Sequence, residues 1–277
     1  MQIASTVEGL RRILGSLEGT FGLVPTMGAL HGGHLSLVSR ARVQCDNVGV
    51  SIFVNPTQFG PNEDLSRYPR DLERDLRLLE PLGVDVVWAP SPEEMYPPGF
   101  QTWANVENLS VPLEGKHRPE HFRSVATVVA KLFNLFTPAR AYFGQKDAQQ
   151  AAVVKRLAQD LDFQVEIVVC PTVREPDGLA MSSRNAYLSA EERRVATVLY
   201  RALSAARSQY DAGERDADVL RATMLSTVSA EPLARVDYVS AAERDTLNEL
   251  DRVQEGTLLL LVVHIGRVRL IDNFVLP

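Results

Sequence analysis

The sequence predicts an α/β protein, in which a doubly wound parallel sheet is followed by a small α+β domain. From residue 21 onward, short apolar runs alternate with longer amphipathic segments, the pattern of a parallel sheet covered by helices. This alternation stops at the stretch Cys170–Gly178 (CPTVREPDG), which holds two prolines and one glycine. We therefore expect a first domain over residues 1–175 and a second over residues 176–277.

The strands of the first domain are predicted from β-branched and aromatic runs, most of which are followed by Gly, Pro or Asn. They are Phe21–Pro25, Val48–Val54, Val84–Trp88, Arg140–Phe143 and Gln164–Val169. Helices are predicted between them from apolar residues at three- and four-residue spacing. These helices are His34–Val43, Arg70–Leu82, Ser124–Phe136, which Pro138 ends, and Asp147–Asp160. The order of elements is that of a Rossmann-like fold.

The second domain has a different pattern, in which helices come first and strands follow. The predicted helices are Ala190–Ala212 and Ala217–Val228, and the predicted strands are Arg235–Ser240, Thr257–His264 and Arg269–Val275.

Composition excludes several classes of function. The 277 residues carry a formal net charge of −6, whereas proteins held to nucleic acid by phosphate neutralisation usually show a basic surplus. The longest apolar run, Leu258–Val263, is far shorter than the roughly 20 residues of a membrane-spanning helix. Cys45 and Cys170 stand far apart and form no CxxC, so neither a disulfide framework nor a thiolate metal site is expected. We expect a cytoplasmic protein that binds neither nucleic acid nor membrane.

The first candidate site is Pro25–His34 (PTMGALHGGH), which follows the first strand and opens the first helix. Ligands of open α/β sheets lie outside the carboxyl ends of the strands, and glycines there let backbone N–H groups reach a phosphate. His31 and His34 add two imidazole donors. Because GxGxxG is absent, this turn suits a nucleoside triphosphate better than a dinucleotide. The alternatives are a glycine-rich turn with two solvated histidines and, less favoured, a metal pair.

Two further motifs are predicted to meet the same cleft. In Gly144–Gln150 (GQKDAQQ), Lys146 can contact a phosphate, Asp147 can cap a helix or hold a ribose or Mg²⁺, and Gln150 lies one turn on. In Leu179–Asn185 (LAMSSRN), two hydroxyls and a guanidinium can close over phosphates. The alternatives are an N-capped surface helix for the first motif and a helix cap with a solvated Arg for the second.

Two motifs have weaker signals. Phe53–Gly60 (FVNPTQFG) places amide side chains at the end of the second strand, where Gln can both donate and accept hydrogen bonds, although Asn-Pro is also an ordinary turn former. In Glu114–Phe122 (EGKHRPEHF), His117 and His121 have the spacing of a helical metal pair. Pro119 between them argues against one regular helix, so metal binding is disfavoured.

Taken in order, the motifs closely resemble the pantothenate synthetase family, ATP-dependent ligases of the nucleotidyltransferase superfamily. The resemblance rests on the HxGH-type turn, SIFVNPTQFG, RYPRDLERDL, GxKDxQQ and PTVREPDGLAMSSRN, between about residues 20 and 190. His31–His34 and Met181–Arg184 are the family's counterparts of the HIGH and KMSKS signatures of class I aminoacyl-tRNA synthetases. The sequence departs from the family pattern at Gln145, which is usually acidic, and at Ala148, which is often aromatic.

The resemblance implies that (R)-pantoate and ATP form pantoyl adenylate and pyrophosphate, after which β-alanine displaces AMP to give pantothenate. It implies Mg²⁺, without naming its protein ligands, and a homodimer. The implied catalytic residues are His34, His31, Lys146 and Arg184, and the implied pantoate ligands are Gln58, also near β-alanine, and Gln150. The implied ATP ligands are Met27, Gly28, Ala29, Leu30, His31, Gly32, Gly33, His34, Gly144, Gln145, Lys146, Asp147, Val173, Met181, Ser182, Ser183 and Arg184.

Three points stay open in the sequence. No residue is a convincing base for the β-alanine amine. A lid over the adenylate is expected from either Gly60–Tyr68 or Met181–Asn185, the segment that carries the MSSR motif. The alternatives to a ligase are another nucleotidyl-transferring enzyme of the same superfamily and a non-catalytic ATP-binding module.

Overall fold

A computed structural model describes residues 1–61 and 63–277, so Asn62, in the first candidate lid loop, lies outside the described residues. The chain forms two compact units. The first unit comprises Met1–Gly144 and Gln149–Cys170, and the second comprises Gln145–Ala148 and Pro171–Pro277. The expected boundary at residue 175 stays a prediction.

The first unit contains a six-stranded sheet in the order β1-β4-β3-β2-β5-β6, with every pair of neighbours parallel. The strands are β1 (Gln2–Ala4), β2 (Phe21–Thr26), β3 (Asn47–Ile52), β4 (Val86–Trp88), β5 (Arg140–Gly144) and β6 (Glu166–Cys170). From β2 the chain first adds β3 and β4 on one side and later β5 and β6 on the other. The predicted Rossmann-like sheet is confirmed, and its topological switch point, where such folds bind ligands, lies between β2 and β5.

The helices of the first unit follow the predicted order with shifted ends. They are α1 (Val7–Leu14), α2 (Gly32–Gln44), α3 (Leu72–Leu79), α4 (Pro92–Met95), α5 (Glu114–His117), α6 (His121–Phe136) and α7 (Ala148–Asp160), which starts in the second unit. The third predicted strand begins at Val86 instead of Val84. The predicted helix Arg70–Leu82 is shorter, because Asp71 caps α3 and residues Glu80–Leu82 form a tighter 3₁₀ turn.

Neither β1 nor α1 was predicted from the sequence. β1 has three residues, is an edge strand and buries only Ala4, so it lacks the apolar run that marks a strand. α1 is amphipathic, and Thr6 caps it by accepting a hydrogen bond from Gly9 N.

The second unit contains α8 (Ala190–Val195), α9 (Val198–Asp211), α10 (Ala217–Ser229) and an antiparallel sheet in the order β7-β8-β9. Its strands are β7 (Ala234–Ala242), β8 (Leu258–Ile265) and β9 (Val268–Val275). The apolar run Leu258–Val263 forms most of β8, the central strand, and each of its residues is buried. The small α+β domain is confirmed.

The single helix predicted over Ala190–Ala212 is wrong. The chain forms α8 and α9, because Leu199 N bonds to Ala196 O in a tighter turn that interrupts the α-helical ladder. Thr197 Oγ1 also bonds to the carbonyl of Arg194, a local contact that competes with regular helix.

Both cysteines are free thiols and buried. Over residues 1–61 and 63–277, no helix is long and apolar enough to cross a membrane.

Candidate active site

The turn between β2 and α2 has an unusual backbone. Gly28 has φ +77° and Ala29 has φ +51°, both in the left-handed region. A Cβ at Gly28 would lie 3.0 Å from Asp75 Oδ2, so glycine suits this position for both conformation and space. Gly32 and Gly33 then form the first turn of α2. This places the predicted HxGH motif at the N-terminus of a 13-residue helix that starts at the switch point of the sheet.

Asp75 fixes this turn from α3. Its carboxylate accepts hydrogen bonds from Ala29 N (2.9 Å) and Leu30 N (2.8 Å), and Asp75 is 1% exposed. Burial raises the pKa of Asp75 above its usual value, although the two amides and Arg74 oppose the shift. Arg74 also donates to Leu30 O at 3.1 Å. The RYPRDLERDL motif, to which the sequence assigned no role, therefore holds the backbone that precedes His31.

The two histidines of the motif lie side by side. Their ring centroids are 4.1 Å apart and the ring planes are inclined by 38°. His31 caps α2, because its Nδ1 accepts from Gly33 N at 3.1 Å. A neutral His31 with Nδ1 as acceptor carries its proton on Nε2 and donates through that atom. The Gly33 amide donates to His31 in this structure, and the expected contact of Gly33 with ATP stays a prediction.

Gln58 lies at the carboxyl end of β3, in the 3₁₀ turn Pro56–Gln58 that Asn55 caps. Its side chain is buried: Oε1 accepts from Asn55 Nδ2 at 3.0 Å, and Nε2 donates to Met27 Sδ at 3.1 Å. The structure thus brings together Gln58 and Met27, residues predicted for pantoate and ATP respectively. Asn55 Oδ1 also accepts from Tyr96 OH at 3.1 Å, so the amide pair is held in one orientation.

Two side chains, His121 and Arg118, support the backbone of Gln58. The Gln58 carbonyl accepts from His121 Nδ1 (3.0 Å) and from Arg118 Nη2 (3.2 Å). Arg118 Nη1 lies 3.2 Å from His121 Nε2, and because a guanidinium only donates, Nε2 is the acceptor and the ring proton is on Nδ1. Arg118 also forms a bidentate ion pair with Glu63, at 2.6 and 2.7 Å.

His117 and His121, for which the sequence disfavours a metal pair, lie on different helices. His117 ends α5 and His121 begins α6. His121 instead contacts Gln58, 63 residues away in the chain. Over the described ranges 1–61 and 63–277, no three His, Cys, Asp or Glu side chains form a group that could hold a metal ion.

His121 makes stability depend on pH. Burial, with the nearby Arg118 charge, lowers its pKa from 6.5 to about 4. Below pH 6.5 the unfolded chain takes up the proton first, so the fold loses up to roughly 3 kcal/mol as pH falls from 6.5 to 4. We expect His121→Asn, which keeps a donor near Nδ1 but does not titrate, to show a smaller fall in melting temperature between pH 7 and pH 4.5 than the wild type.

The control for this prediction is His117→Asn, which removes an exposed imidazole at the end of α5. A His121→Asn protein that loses as much thermal stability on acidification as the wild type would show that His121 does not titrate in this way.

The two glutamines at the start of α7 have different environments. Gln149 is buried, donates to Leu109 O (2.9 Å) and Pro112 O (2.8 Å), and accepts from Glu114 N (3.0 Å). It therefore holds the segment before α5 in place. Gln150, the residue predicted to bind pantoate, is half-buried in the same unit. The sequence did not separate a structural glutamine from the candidate ligand.

The second unit holds the predicted ATP ligands from Gln145 onward, whereas Gly144 ends the first stretch of the first unit. Gln145–Asp147 form a 3₁₀ turn that leads from Gly144 directly into α7, and Lys146 Nζ lies 3.6 Å from Asp147 Oδ1. Val173 O accepts from Met181 N at 3.0 Å. Ser182 caps the 3₁₀ turn Ser183–Tyr187 by accepting from Arg184 N, so the cap interpretation of this motif is correct for Ser182. Ser183 and Arg184 are half-buried in that turn.

Comparison with known proteins decides the family. The model of the family described as pantoate-beta-alanine ligase matches residues 2–275. The chain belongs to the pantoate-beta-alanine ligase family. Members of this family form a C–N bond, so the chain is an enzyme, and a non-catalytic ATP-binding module is excluded.

Relatives in the pantoate-beta-alanine ligase family match over the whole chain. Pantothenate synthetase from Roseiflexus castenholzii is 61% identical over 276 residues, with 100% of this chain and 99% of the relative covered. A crystal structure of pantothenate synthetase from Thermus thermophilus has a TM-score of 0.96 at 50% identity, with both chains covered completely. Pantoate-beta-alanine ligase from Francisella tularensis, in complex with beta-gamma ATP and beta-alanine, has a TM-score of 0.82 at 38% identity and covers 99% of this chain and 97% of its own.

Proposed function

We propose that this enzyme condenses (R)-pantoate with β-alanine to pantothenate, through pantoyl adenylate, with ATP as co-substrate and AMP and pyrophosphate as products. The observation that carries the proposal is the pair of adjacent imidazoles, His31 and His34, at the N-terminus of α2, on a turn held by Asp75. The Francisella tularensis relative with bound beta-gamma ATP and beta-alanine supports the same two substrates here.

In the first half-reaction, a carboxylate oxygen of pantoate attacks the α-phosphorus, and the bond from that phosphorus to the bridging oxygen of pyrophosphate breaks. The nucleophile is already ionised at pH 7, so no general base is needed. The enzyme must orient the reactants and stabilise negative charge on the phosphates. We assign His34 as acid or hydrogen-bond donor to the transferred group, with His31 donating through Nε2 beside it.

In the second half-reaction, the β-alanine amine attacks the acyl carbon, and AMP leaves with the oxygen that came from pantoate. The amine must be deprotonated before it attacks. We assign no residue to this proton transfer. Gln58, fixed by Asn55 and held through its carbonyl by His121, is proposed to contact pantoate and the incoming β-alanine.

We propose that Lys146, Ser182, Ser183 and Arg184 stabilise the departing pyrophosphate, together with the remaining ATP ligands that the resemblance implies. Residues 1–175 are proposed as the catalytic domain, and residues 176–277 as the domain that carries Met181–Asn185 as a lid over the adenylate. A lid here would limit hydrolysis of the reactive acyl adenylate.

We include Mg²⁺ in the proposal because it is bound in such sites through phosphate oxygens and one or two carboxylates. Asp147 is adjacent to Lys146, which is proposed to contact the ATP phosphates, and would supply one carboxylate to an ion shared with those phosphates. Bound there, Mg²⁺ would offset negative charge on the phosphates.

Pantoate-dependent exchange of labelled pyrophosphate into ATP tests the first half-reaction. We expect exchange with pantoate and ATP alone, and release of AMP when β-alanine is added. Exchange with other carboxylic acids but not pantoate would identify a different nucleotidyl-transferring enzyme.

Gln150→Ala is expected to impair pantoate use. A neutral amide can bind the pantoate hydroxyl without repelling its carboxylate, and its loss should lower kcat/KM for pantoate by about 10-fold or more, on the order of 1.4 kcal/mol. Steady-state kinetics with varied pantoate measure this effect. The matched control is Gln159→Ala, at an exposed position of the same helix. An unchanged kcat/KM in Gln150→Ala would remove this residue from the pantoate site.

We further propose a homodimer in the cytoplasm, as the family resemblance implies. Light scattering on the purified protein should give twice the 30.6 kDa mass of one chain, and a monomer across the assay concentrations would contradict the dimer.

A further inference from the structure

Asn273, in β9, makes three hydrogen bonds to the turn that carries Lys146. Its Nδ2 donates to the carbonyls of Gln145 (3.0 Å) and Lys146 (2.9 Å), and its Oδ1 accepts from Gln145 Nε2 (3.0 Å). Asn273 is 3% exposed. Both N–H groups of the Asn273 amide and its oxygen therefore bond to Gln145 and Lys146, which lie about 127 positions away in the chain.

The strand that carries Asn273 is itself held firmly. Asp272 accepts two hydrogen bonds from Arg174, at 2.6 and 2.8 Å, and one from Asn273 N at 2.8 Å. The Asp272 side chain is 1% exposed. The Asn273 side chain therefore contacts the Gln145–Asp147 turn from a backbone that cannot shift without breaking a buried ion pair.

The chemistry of this contact requires an asparagine. The two carbonyls of the turn need donors, and the Gln145 amide needs an acceptor, so one primary amide satisfies all three groups. An aspartate of the same shape offers no donor and places a negative charge beside two carbonyl oxygens. Buried polar groups left without partners destabilise the backbone that carries them, so we expect the turn to rearrange.

We propose that Asn273 is a positioning residue that holds the backbone of Lys146, so that the lysine ammonium is placed for the ATP phosphates. This inference rests on the proposed function, because it takes Lys146 as a phosphate ligand. Asn273 acts through Lys146 and does not itself touch the substrate.

A double-mutant cycle between Asn273→Asp and Lys146→Ala tests the proposal. In Asn273→Asp we expect pyrophosphate exchange to fall about 10- to 100-fold with a raised KM for ATP and an unchanged KM for pantoate, since small misplacement of a positioned group costs up to about 10²-fold. In the Lys146→Ala background, the same substitution should cause less than about 3-fold further loss. The control is Asn248→Asp, at an exposed position of the same unit.

If Asn273→Asp does not fold, Asn273→Ser takes its place in the cycle, because a hydroxyl keeps one donor. Full additivity between positions 273 and 146, or equal changes in the KM values for ATP and pantoate, would overturn the inference while the wild type still exchanges pyrophosphate. A wild type without pantoate-dependent exchange would instead overturn the proposed function.

Discussion

Replacement of His34 by alanine should lower the rate of pantoate-dependent pyrophosphate exchange by about 10²- to 10³-fold, with the fold intact. This corresponds to about 2.7–4 kcal/mol, the effect of removing one donor that is aimed at developing charge. His34 lies on the first turn of α2, 4.1 Å from the His31 ring, on a backbone that Asp75 fixes. The His34 imidazole is therefore already oriented as a donor, whereas a water molecule that replaced it would not be held in one orientation.

His117→Ala is the control for this variant, since it removes an exposed imidazole from the same unit. Circular dichroism and melting temperature should show that His34→Ala is folded. His31→Ala is less informative, because it also removes the N-cap of α2, worth about 1 kcal/mol of stability. A folded His34→Ala enzyme that exchanges pyrophosphate at nearly the wild-type rate would contradict the assigned role.

Arg174→Met should cause the largest loss of stability, about 3–5 kcal/mol, because it leaves the Asp272 carboxylate buried without its ion-pair partner. The Arg174 guanidinium also lies 5.1 Å from the Tyr200 ring centroid and 5.0 Å from that of Phe274, so cation–π contacts are lost as well. Urea unfolding at pH 7 measures the effect. The double variant Arg174→Met with Asp272→Asn should recover part of it, since no buried charge remains.

The effect of Arg174→Met should depend on pH. Burial raises the pKa of Asp272 above its usual value, while the Arg174 hydrogen bonds and charge lower it. Without Arg174 the folded-state pKa of Asp272 rises further, so the charged carboxylate destabilises the fold at neutral pH. The loss of stability becomes smaller as pH falls, because Asp272 is then protonated.

The control for Arg174→Met is Arg193→Met, because the ion pair of Arg193 with Asp177 is largely exposed and worth about 1 kcal/mol or less. Equal losses in the two variants would show that burial of the Asp272 carboxylate does not determine the effect.

The sequence predicted the parts of the fold that leave a periodic pattern. Strands β2, β3 and β5 and the central strand β8 were found because buried strands require apolar runs, whereas the edge strand β6, which buries only Cys170, was found from its β-branched residues. The positions of the HxGH turn and of Gln58 at the ends of β2 and β3 followed from the same pattern. The break between α8 and α9 was not predictable from periodicity, because the apolar residues keep helical spacing on both sides of Thr197.

The residues that support the site were missed because their partners are distant in the chain. Asp75 left one usable signal: it lies four residues before Leu79, at helical spacing, and both residues are buried, so a carboxylate occupies the buried face of α3. His121 and Asn273 left none, since each contacts backbone carbonyls of residues more than 60 positions away. Every residue type has the same backbone carbonyl, so a side chain that bonds to one has no partner of a particular type, and no sequence motif can reveal the contact.

Oxygen transfer from pantoate to AMP distinguishes adenylyl transfer from phosphoryl transfer. Pantoate labelled with ¹⁸O in both carboxylate oxygens is turned over with ATP and β-alanine, and the products are analysed by mass spectrometry. We expect one ¹⁸O atom in AMP and the other in the amide carbonyl of pantothenate, because the carboxylate attacks the α-phosphorus. Formation of ADP with the label in inorganic phosphate would show attack at the γ-phosphorus and would contradict the adenylate mechanism.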